Sequence, residues 1–297
     1  MRVRVLGSCA GGGLPQWNCG GRNAVRARAG DPDVPPRSQA SLAISADGVR
    51  WSLLGASPDL REQLASFPGL HPRPGTRDLP LDVVLLSNAE LDHVLGVLVL
   101  RDAHSYRILS TAWVRDALLS HNAAFRLQAP VWSAVALDTP FSLDRDGRLE
   151  ARLFPVPAKL PSHLAGLANT AAGTTVGVRV TDSRSGRRLV VLPSLTRLDP
   201  GALAELEAAD CRFVDGTFWR ADELRELRPG APDAFAMGHV PISGPGGSLE
   251  PLAKLRGRTL YFHMNGTNPI LDRTSPEAAA VRRAGLEIAG EGLELEP

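Results

Sequence analysis

The chain has 297 residues, of which 43% are hydrophobic and 22% are charged, as in an ordinary globular protein that can bury a full core. Thirty-three basic residues against 32 acidic residues give a net charge of +1, which argues against nucleic acid or an acidic membrane as the main partner. No apolar run is long enough to span a bilayer. The apolar segment at the start is short and is interrupted by Arg2 and Arg4, which disfavours a signal peptide, so we expect a cytoplasmic protein.

Stretches with strand character recur along the chain, and helical patterns lie between several of them. The predicted strands are RVRVLG at 2–7, ASLAIS at 40–45, WSLLGAS at 51–57, DVVLLS at 82–87, RLVVLPS at 188–194, CRFVDGT at 211–217 and TLYFHMN at 259–265. The predicted helices cover 59–67, 91–103, 200–209 and 276–284. The last has Ser275 as N-cap, Pro276 at its first position and Gly285 past its end. This layout predicts an α/β protein in which two packed sheets carry helices outside, as one domain over 1–297.

Acidic residues and histidines cluster where several predicted strands end. Asp92 and His93 follow the strand at 82–87, and His263 ends the strand that begins at 259. Open α/β sheets build their sites at strand ends, and two imidazoles with one carboxylate hold a first-row metal while leaving positions open. We therefore predict that these three residues share a metal ion. The competing interpretation is that Asp92 caps the following helix while His93 packs on its polar side; both can hold together.

The segment SNAELDHVLG at 87–96 resembles the H-x-H-x-D-H motif of the metallo-β-lactamase superfamily. Asn88 and Glu90 stand where its two leading histidines would be, while Asp92, His93 and Gly96 match. In order along nearly the whole chain, RVLGSCAGGGLPQWNC, VDGTFW, MGHVPISGPGGSLEPL and FHMNGTNPILD resemble one branch of that superfamily, the PqqB family of pyrroloquinoline quinone (PQQ) biosynthesis. The resemblance implies the fold of that superfamily, an αβ/βα four-layer sandwich.

Departures from the superfamily's two-zinc hydrolases concern one half of their site. Asn88 and Glu90 replace two histidine ligands, FPVPAK at 154–159 offers no histidine for the third, and Ser194 stands near the position of the bridging aspartate. The half that is retained consists of Asp92, His93 and His263. The resemblance therefore implies a mononuclear facial triad, the arrangement typical of non-haem Fe(II), and Zn²⁺ can occupy the same site.

Three further residues are predicted to support catalysis. Glu90 is either a labile fourth ligand or acid/base group, or a solvated loop carboxylate. His239, in FAMGHVPISGPGG, resembles a superfamily histidine near the metal that moves protons or holds a phenol; the alternative is a histidine hydrogen-bonded to its loop. Asp215 is expected to orient a ligand histidine from behind rather than to bind metal.

A cysteine cluster expected from the resemblance is incomplete. Relatives carry C-x-C-x-x-C after PQWN, a spacing suited to a structural zinc, whereas this chain reads CGGRNA at 19–24. Cys19 remains, but Gly21 and Ala24 occupy the other two positions. We predict that no structural zinc binds at Cys19.

The resemblance implies a function in PQQ biosynthesis as a mononuclear non-haem iron hydroxylase, an oxidoreductase that uses Fe(II) and O₂ on a tyrosine-derived Glu–Tyr precursor. Two alternatives stay open: a mononuclear metal hydrolase, and a carrier or chaperone for PQQ or its precursor. The expected partner is a small-molecule or short-peptide substrate of the PQQ pathway, with no nucleic acid and no membrane. A homodimer is an assembly that the sequence allows.

Overall fold

A computed structural model of the chain describes residues 1–102, 105–167 and 173–297. The strands are β1 (Arg2–Gly7), β2 (Ser41–Ser45), β3 (Trp51–Leu54), β4 (Leu81–Leu85), β5 (Arg107–Ser110), β6 (Trp132–Ala134), β7 (Phe141–Ser142), β8 (Leu149–Pro155), β9 (Val176–Asp182), β10 (Arg188–Leu192), β11 (Cys211–Asp215), β12 (Arg258–Phe262), β13 (Glu287–Ile288) and β14 (Glu294–Leu295). The α-helices are α1 (Arg22–Arg28), α2 (Leu60–Ser66), α3 (Leu91–Val94), α4 (Ala112–His121), α5 (Pro200–Glu207), α6 (Ala234–Met237), α7 (Leu249–Ala253) and α8 (Pro276–Arg283). Short 3₁₀ helices cover Pro68–Leu70, Leu95–Asp102, Ala123–Val131, Ser162–Leu164, Glu223–Glu226 and Pro269–Leu271.

The strands form two mixed sheets of the same design. The first sheet has the order β14-β1-β2-β3-β4-β5-β6, and the second has the order β13-β12-β11-β10-β9-β8-β7. In each sheet one half is antiparallel and the other half is parallel; the parallel halves are β3 to β6 and β10 to β13. Parallel strands end at a common edge of their sheet, so the residues that follow β4, β11 and β12 are placed where sites form in such sheets.

The core has three parts because each sheet buries both of its faces. Side chains of the two inner faces merge into one cluster that includes Val83, Leu153 and Phe213. Val84, the next residue after Val83, belongs instead to the cluster beneath α2 and α4, as the two-residue period of a strand requires. A third cluster, which includes Tyr261, packs the second sheet against α5 and α8. The order helix, sheet, sheet, helix confirms the predicted four-layer sandwich.

The predicted helix over 276–284 is confirmed as α8. The Ser275 hydroxyl accepts the backbone N–H of Ala278 at 2.9 Å, Pro276 starts the helix, and Gly285 takes the left-handed conformation at φ 76°. The predicted helices at 59–67 and 200–209 likewise match α2 and α5. In the described ranges, no helix has the length and apolar character needed to cross a bilayer.

The predicted α-helix over 91–103 is wrong for most of its length. Only α3 is α-helical, and a 3₁₀ helix follows over Leu95–Asp102; Ala103 lies outside the described residues, as does His104. The cause is a tertiary contact at Gly96, whose backbone N–H donates to the carbonyl of Ala56 at 2.8 Å. A Cβ at Gly96 would overlap the carbonyl oxygen of Ser57, so the chain lies directly on a neighbouring loop where an α-helix would have to continue.

Candidate metal centre

The three predicted metal ligands come together from distant parts of the sequence. Asp92 and His93 lie in α3, shortly after β4, and His263 follows β12 directly. One ligand atom from each residue lies within 4.8 Å of those of the other two. His263 Nε2 is 3.0 Å from Asp92 Oδ2 across a separation of 171 residues, and the rings of His93 and His263 stack with centroids 4.9 Å apart. We call Asp92, His93 and His263 the triad. That the triad binds metal remains a prediction.

His93 is a buried imidazole with an unused nitrogen. Its exposed fraction is 3%, and within the described part of the chain its Nε2 has no hydrogen-bond partner. Burial lowers the pKa of His93 to about 4, so the ring is neutral at pH 7. A buried polar atom without a partner costs free energy, and a metal ion would satisfy it.

Asp92 and His263 form a coupled pair. Burial alone would raise the pKa of Asp92, but His93 and the hydrogen bond from His263 hold it well below its usual range. Burial alone would lower the pKa of His263, but the hydrogen bond to Asp92 and its negative charge raise it. Without a metal, a proton therefore occupies the position between the carboxylate and Nε2. A metal ion that binds both atoms has to displace this proton.

The interpretation of Asp92 as a helix cap is wrong. The N-cap position of α3 is Glu90 rather than Asp92, and the side chain of Glu90 makes no cap hydrogen bond. His93 is buried rather than placed on a polar helix face. His263 adds a backbone feature, because its φ is 59°, a left-handed conformation that is uncommon for a residue with a Cβ. Such outliers concentrate at functional sites.

A second polar group shares His263 with the triad. It consists of Asp215, His239 and His263, whose ligand atoms also lie within 4.8 Å of one another. Asp215 is fully buried at the end of β11, and its Oδ2 is 2.8 Å from His239 Nδ1. The rings of His239 and His263 stack with centroids 5.6 Å apart. Asp215 therefore contacts His239 directly, and the hydroxyl of Thr217 connects it to the predicted ligand His263.

Glu90 and His239 differ in how they face the triad. Glu90 is half-buried, and its carboxylate is in neither group of ligand atoms. Burial, with a contribution from the charge of Asp92, raises the pKa of Glu90. The Nδ1 of His239 contacts the side chains of Asp215 and Thr217 rather than its own loop backbone.

Thr217 is the residue of this site that the sequence did not reveal. Its hydroxyl is within hydrogen-bond distance of Asp215, His239 and His263. The one signal was its place in VDGTFW, two residues after an acid predicted to be functional.

The predicted lack of a structural zinc at Cys19 stays a prediction. The Sγ of Cys19 accepts the backbone N–H of Gly21 at 3.4 Å. Cys9 and Cys211 are both buried, in different core clusters.

The chain is similar to known proteins over its whole length. Residues 50–264 match the profile of the beta-lactamase superfamily domain. Coenzyme PQQ synthesis protein B of Azotobacter vinelandii is 38% identical over 301 residues, with all of both chains covered. The protein of the same name from Ruegeria pomeroyi is 41% identical over 300 residues, with 99% of both chains covered.

Solved structures give the same result. The crystal structure of Zn(2+)-bound PqqB from Methylobacterium extorquens superimposes with a TM-score of 0.93 at 38% identity, covering all of both chains. A diphosphatase from the PhnP family, at 18% identity and a TM-score of 0.66 with 100% and 97% of the two chains covered, shares the fold alone. The chain thus has the metallo-β-lactamase fold and belongs to the coenzyme PQQ synthesis protein B family.

Proposed function

We propose that this chain acts in the synthesis of coenzyme PQQ as a mononuclear metal enzyme that uses O₂ to hydroxylate a tyrosine-derived Glu–Tyr precursor. The place in PQQ synthesis rests on the full-length relatives of that name. The observation that carries the metal site is the triad itself, with the buried Nε2 of His93 lacking a partner among the described residues.

The donor set of the triad fits a small first-row ion. Two imidazole nitrogens and one carboxylate oxygen are the ligands of non-haem Fe(II) oxygenases, and they leave coordination positions open. When bound there, Fe(II) would supply the electron transfer that activates O₂. The same donors suit Zn²⁺, and the relative from Methylobacterium extorquens is described as Zn(2+)-bound.

Two groups beside the triad are suited to moving protons of a phenolic substrate. His239 holds its Nδ1 against Asp215 at 2.8 Å, which orients the ring and leaves Nε2 for a substrate. Its side chain keeps 16% of its surface exposed, so a substrate can reach it. Glu90 has a raised pKa, which brings a carboxyl group closer to the range useful for acid–base catalysis at neutral pH. We assign proton transfer to His239 and a supporting role to Glu90.

The experiment is oxygen uptake by protein purified without oxygen and loaded with Fe(II), using a Glu–Tyr peptide and its catechol derivative. We expect uptake and a hydroxylated product by mass spectrometry, lost in His93→Ala and reduced at least tenfold in His239→Ala. His71→Ala is the control, because His71 is exposed and its Nε2 lies 2.9 Å from the carbonyl oxygen of Ala65, away from the triad.

Other outcomes identify the alternatives. Hydrolysis of a phosphodiester without oxygen uptake, lost in His93→Ala, would replace the proposal with a hydrolase. Stoichiometric PQQ binding that persists in His93→Ala, with no turnover of any substrate, would replace it with a carrier.

A further inference from the structure

One buried hydroxyl connects the acid and both histidines behind the triad. Thr217 has an exposed fraction of 2%. Its Oγ1 lies 2.6 Å from Asp215 Oδ1, 3.0 Å from His263 Nδ1, 2.9 Å from the backbone oxygen of His263 and 3.1 Å from His239 Nδ1. Four polar atoms thus surround an oxygen that carries a single hydrogen.

The position of that hydrogen follows from the partners. A threonine hydroxyl donates one hydrogen and accepts up to two. Asp215 Oδ1 also accepts the backbone N–H of Thr217 at 3.0 Å, and Oδ2 accepts that of Leu195 at 3.4 Å, so both carboxylate oxygens act as acceptors. The hydroxyl can donate to Asp215 Oδ1 at 2.6 Å or to the backbone oxygen of His263 at 2.9 Å, and the shorter contact is to the charged carboxylate, which is the stronger acceptor. The hydroxyl hydrogen therefore points at Asp215.

In the contact between Thr217 Oγ1 and His263 Nδ1, the hydrogen must then come from the histidine. With its hydrogen directed at Asp215, the Thr217 oxygen can only accept from the ring, so His263 Nδ1 carries a hydrogen. The proton between His263 Nε2 and Asp92 is the one that a metal ion displaces, and Nε2 then has a free lone pair. If instead Thr217 donated to His263 Nδ1, its 2.6 Å contact with Asp215 would hold two acceptors and no hydrogen.

We propose that Thr217 is a positioning residue that holds a hydrogen on His263 Nδ1, so that Nε2 is the nitrogen that a metal ion binds once it has displaced the proton shared with Asp92. The inference rests on the metal site of the proposed function and adds the group that prepares one of its ligands. Partners behind a ligand histidine commonly set its tautomer and orientation, and removing them typically weakens metal binding 10–100-fold. A purely structural threonine would fill the same space without this effect.

The test compares Thr217→Val, which keeps the shape and removes the hydroxyl, with Thr217→Ser, which keeps the hydroxyl. The probe is Zn²⁺ alone, titrated in competition with a chelator. We expect Thr217→Val to bind Zn²⁺ about 10–100-fold more weakly and Thr217→Ser to stay within about threefold of wild type, the serine rescue that a packing role would not predict. Thr217→Val binding within twofold of wild type would overturn the inference.

A second measurement needs no variant and so remains decisive even if Thr217→Val does not fold. Long-range ¹H–¹⁵N spectra of ¹⁵N-histidine-labelled wild type loaded with Zn²⁺ report which ring nitrogen of His263 carries the hydrogen. We expect His263 to carry it on Nδ1, and a hydrogen on Nε2 would overturn the inference. If wild type binds no Zn²⁺, the metal site of the proposed function fails. In that case a metal-free wild type in which His263 Nδ1 carries no hydrogen would still overturn the inference on Thr217.

Discussion

The buried carboxyl group of Glu223 should make the free energy of unfolding depend on pH. It begins the 3₁₀ helix Glu223–Glu226 and has an exposed fraction of 5%. Its carboxylate accepts the backbone N–H of Trp219 at 2.6 Å and the hydroxyl of Thr267, beside a cavity of about 220 Å³. Burial outweighs these hydrogen bonds and raises the pKa of Glu223 to about 7. The folded protein therefore holds this proton more tightly than the unfolded chain does.

The magnitude follows from that difference. A rise from 4.5 to about 7, at about 1.4 kcal/mol per pH unit, corresponds to roughly 3 kcal/mol. Because the folded pKa is the higher one, this stabilisation is fully present below about pH 4.5 and is lost as the pH rises through about 7. Glu223→Gln stays uncharged and keeps an acceptor oxygen, so it removes the pH dependence. Relative to wild type, the variant should gain roughly 3 kcal/mol between pH 4.5 and pH 8.

The assay is urea unfolding of both proteins at several values between pH 4.5 and pH 8. Glu226→Gln is the matched control, because Glu226 lies in the same 3₁₀ helix but is exposed and pairs with Arg220. The control should follow the wild-type pH dependence. If Glu223→Gln shows the same pH dependence as wild type, then ionising Glu223 does not destabilise the folded protein, and the argument from burial is refuted.

Three other predictions concern the metal site and the core. Zn²⁺ affinity should fall as the pH drops through the raised pKa of His263, because the metal must displace a proton. Calorimetry in two buffers with different ionisation enthalpies should detect this proton release on binding. An affinity that does not depend on pH would contradict the proton shared with Asp92. Gly96→Ala should lower the free energy of unfolding by about 1–3 kcal/mol, because its Cβ would overlap a neighbouring carbonyl. Gly166→Ala, with open space at its Cβ, is the control, and equal stability of the two variants would contradict the prediction. Arg212→Met should lower the free energy of unfolding in urea by on the order of 3 kcal/mol. The reason is that the fully buried guanidinium donates to a threonine hydroxyl and two carbonyls, which would lose their donor. A variant as stable as wild type would show that these acceptors need no partner.

Much of the fold could be predicted because the signals were local. Strands of the parallel halves, such as β4 and β10, contain the apolar runs VVL and LVVL, which stay buried, and α8 has a cap, an initial proline and a terminal glycine. Other elements depended on weaker signals. The helix α4 was missed although Thr111 caps it by accepting the N–H of Val114. The change from α to 3₁₀ geometry at Gly96 arises from a contact with a distant loop, which no local pattern records.

The candidate site divides in the same way. The triad was predicted from strand ends and from the resemblance to a known motif. The pairing of Asp215 with His239, and the hydroxyl of Thr217 between them and His263, join the turn after β11 with residues 24 and 46 positions away. The contact of Thr217 with His263 follows from the register of β11 beside β12, which becomes visible only in the assembled sheet.

The central claim is that Asp92, His93 and His263 hold one metal ion, and metal stoichiometry tests it most directly. Wild type, His93→Ala, His263→Ala and the control His71→Ala would be purified without oxygen, analysed for metal and titrated with Zn²⁺. We predict one tightly bound ion per chain in wild type and in His71→Ala, and at least a hundredfold weaker binding in the other two variants. Wild-type stoichiometry and affinity in both His93→Ala and His263→Ala would contradict the account.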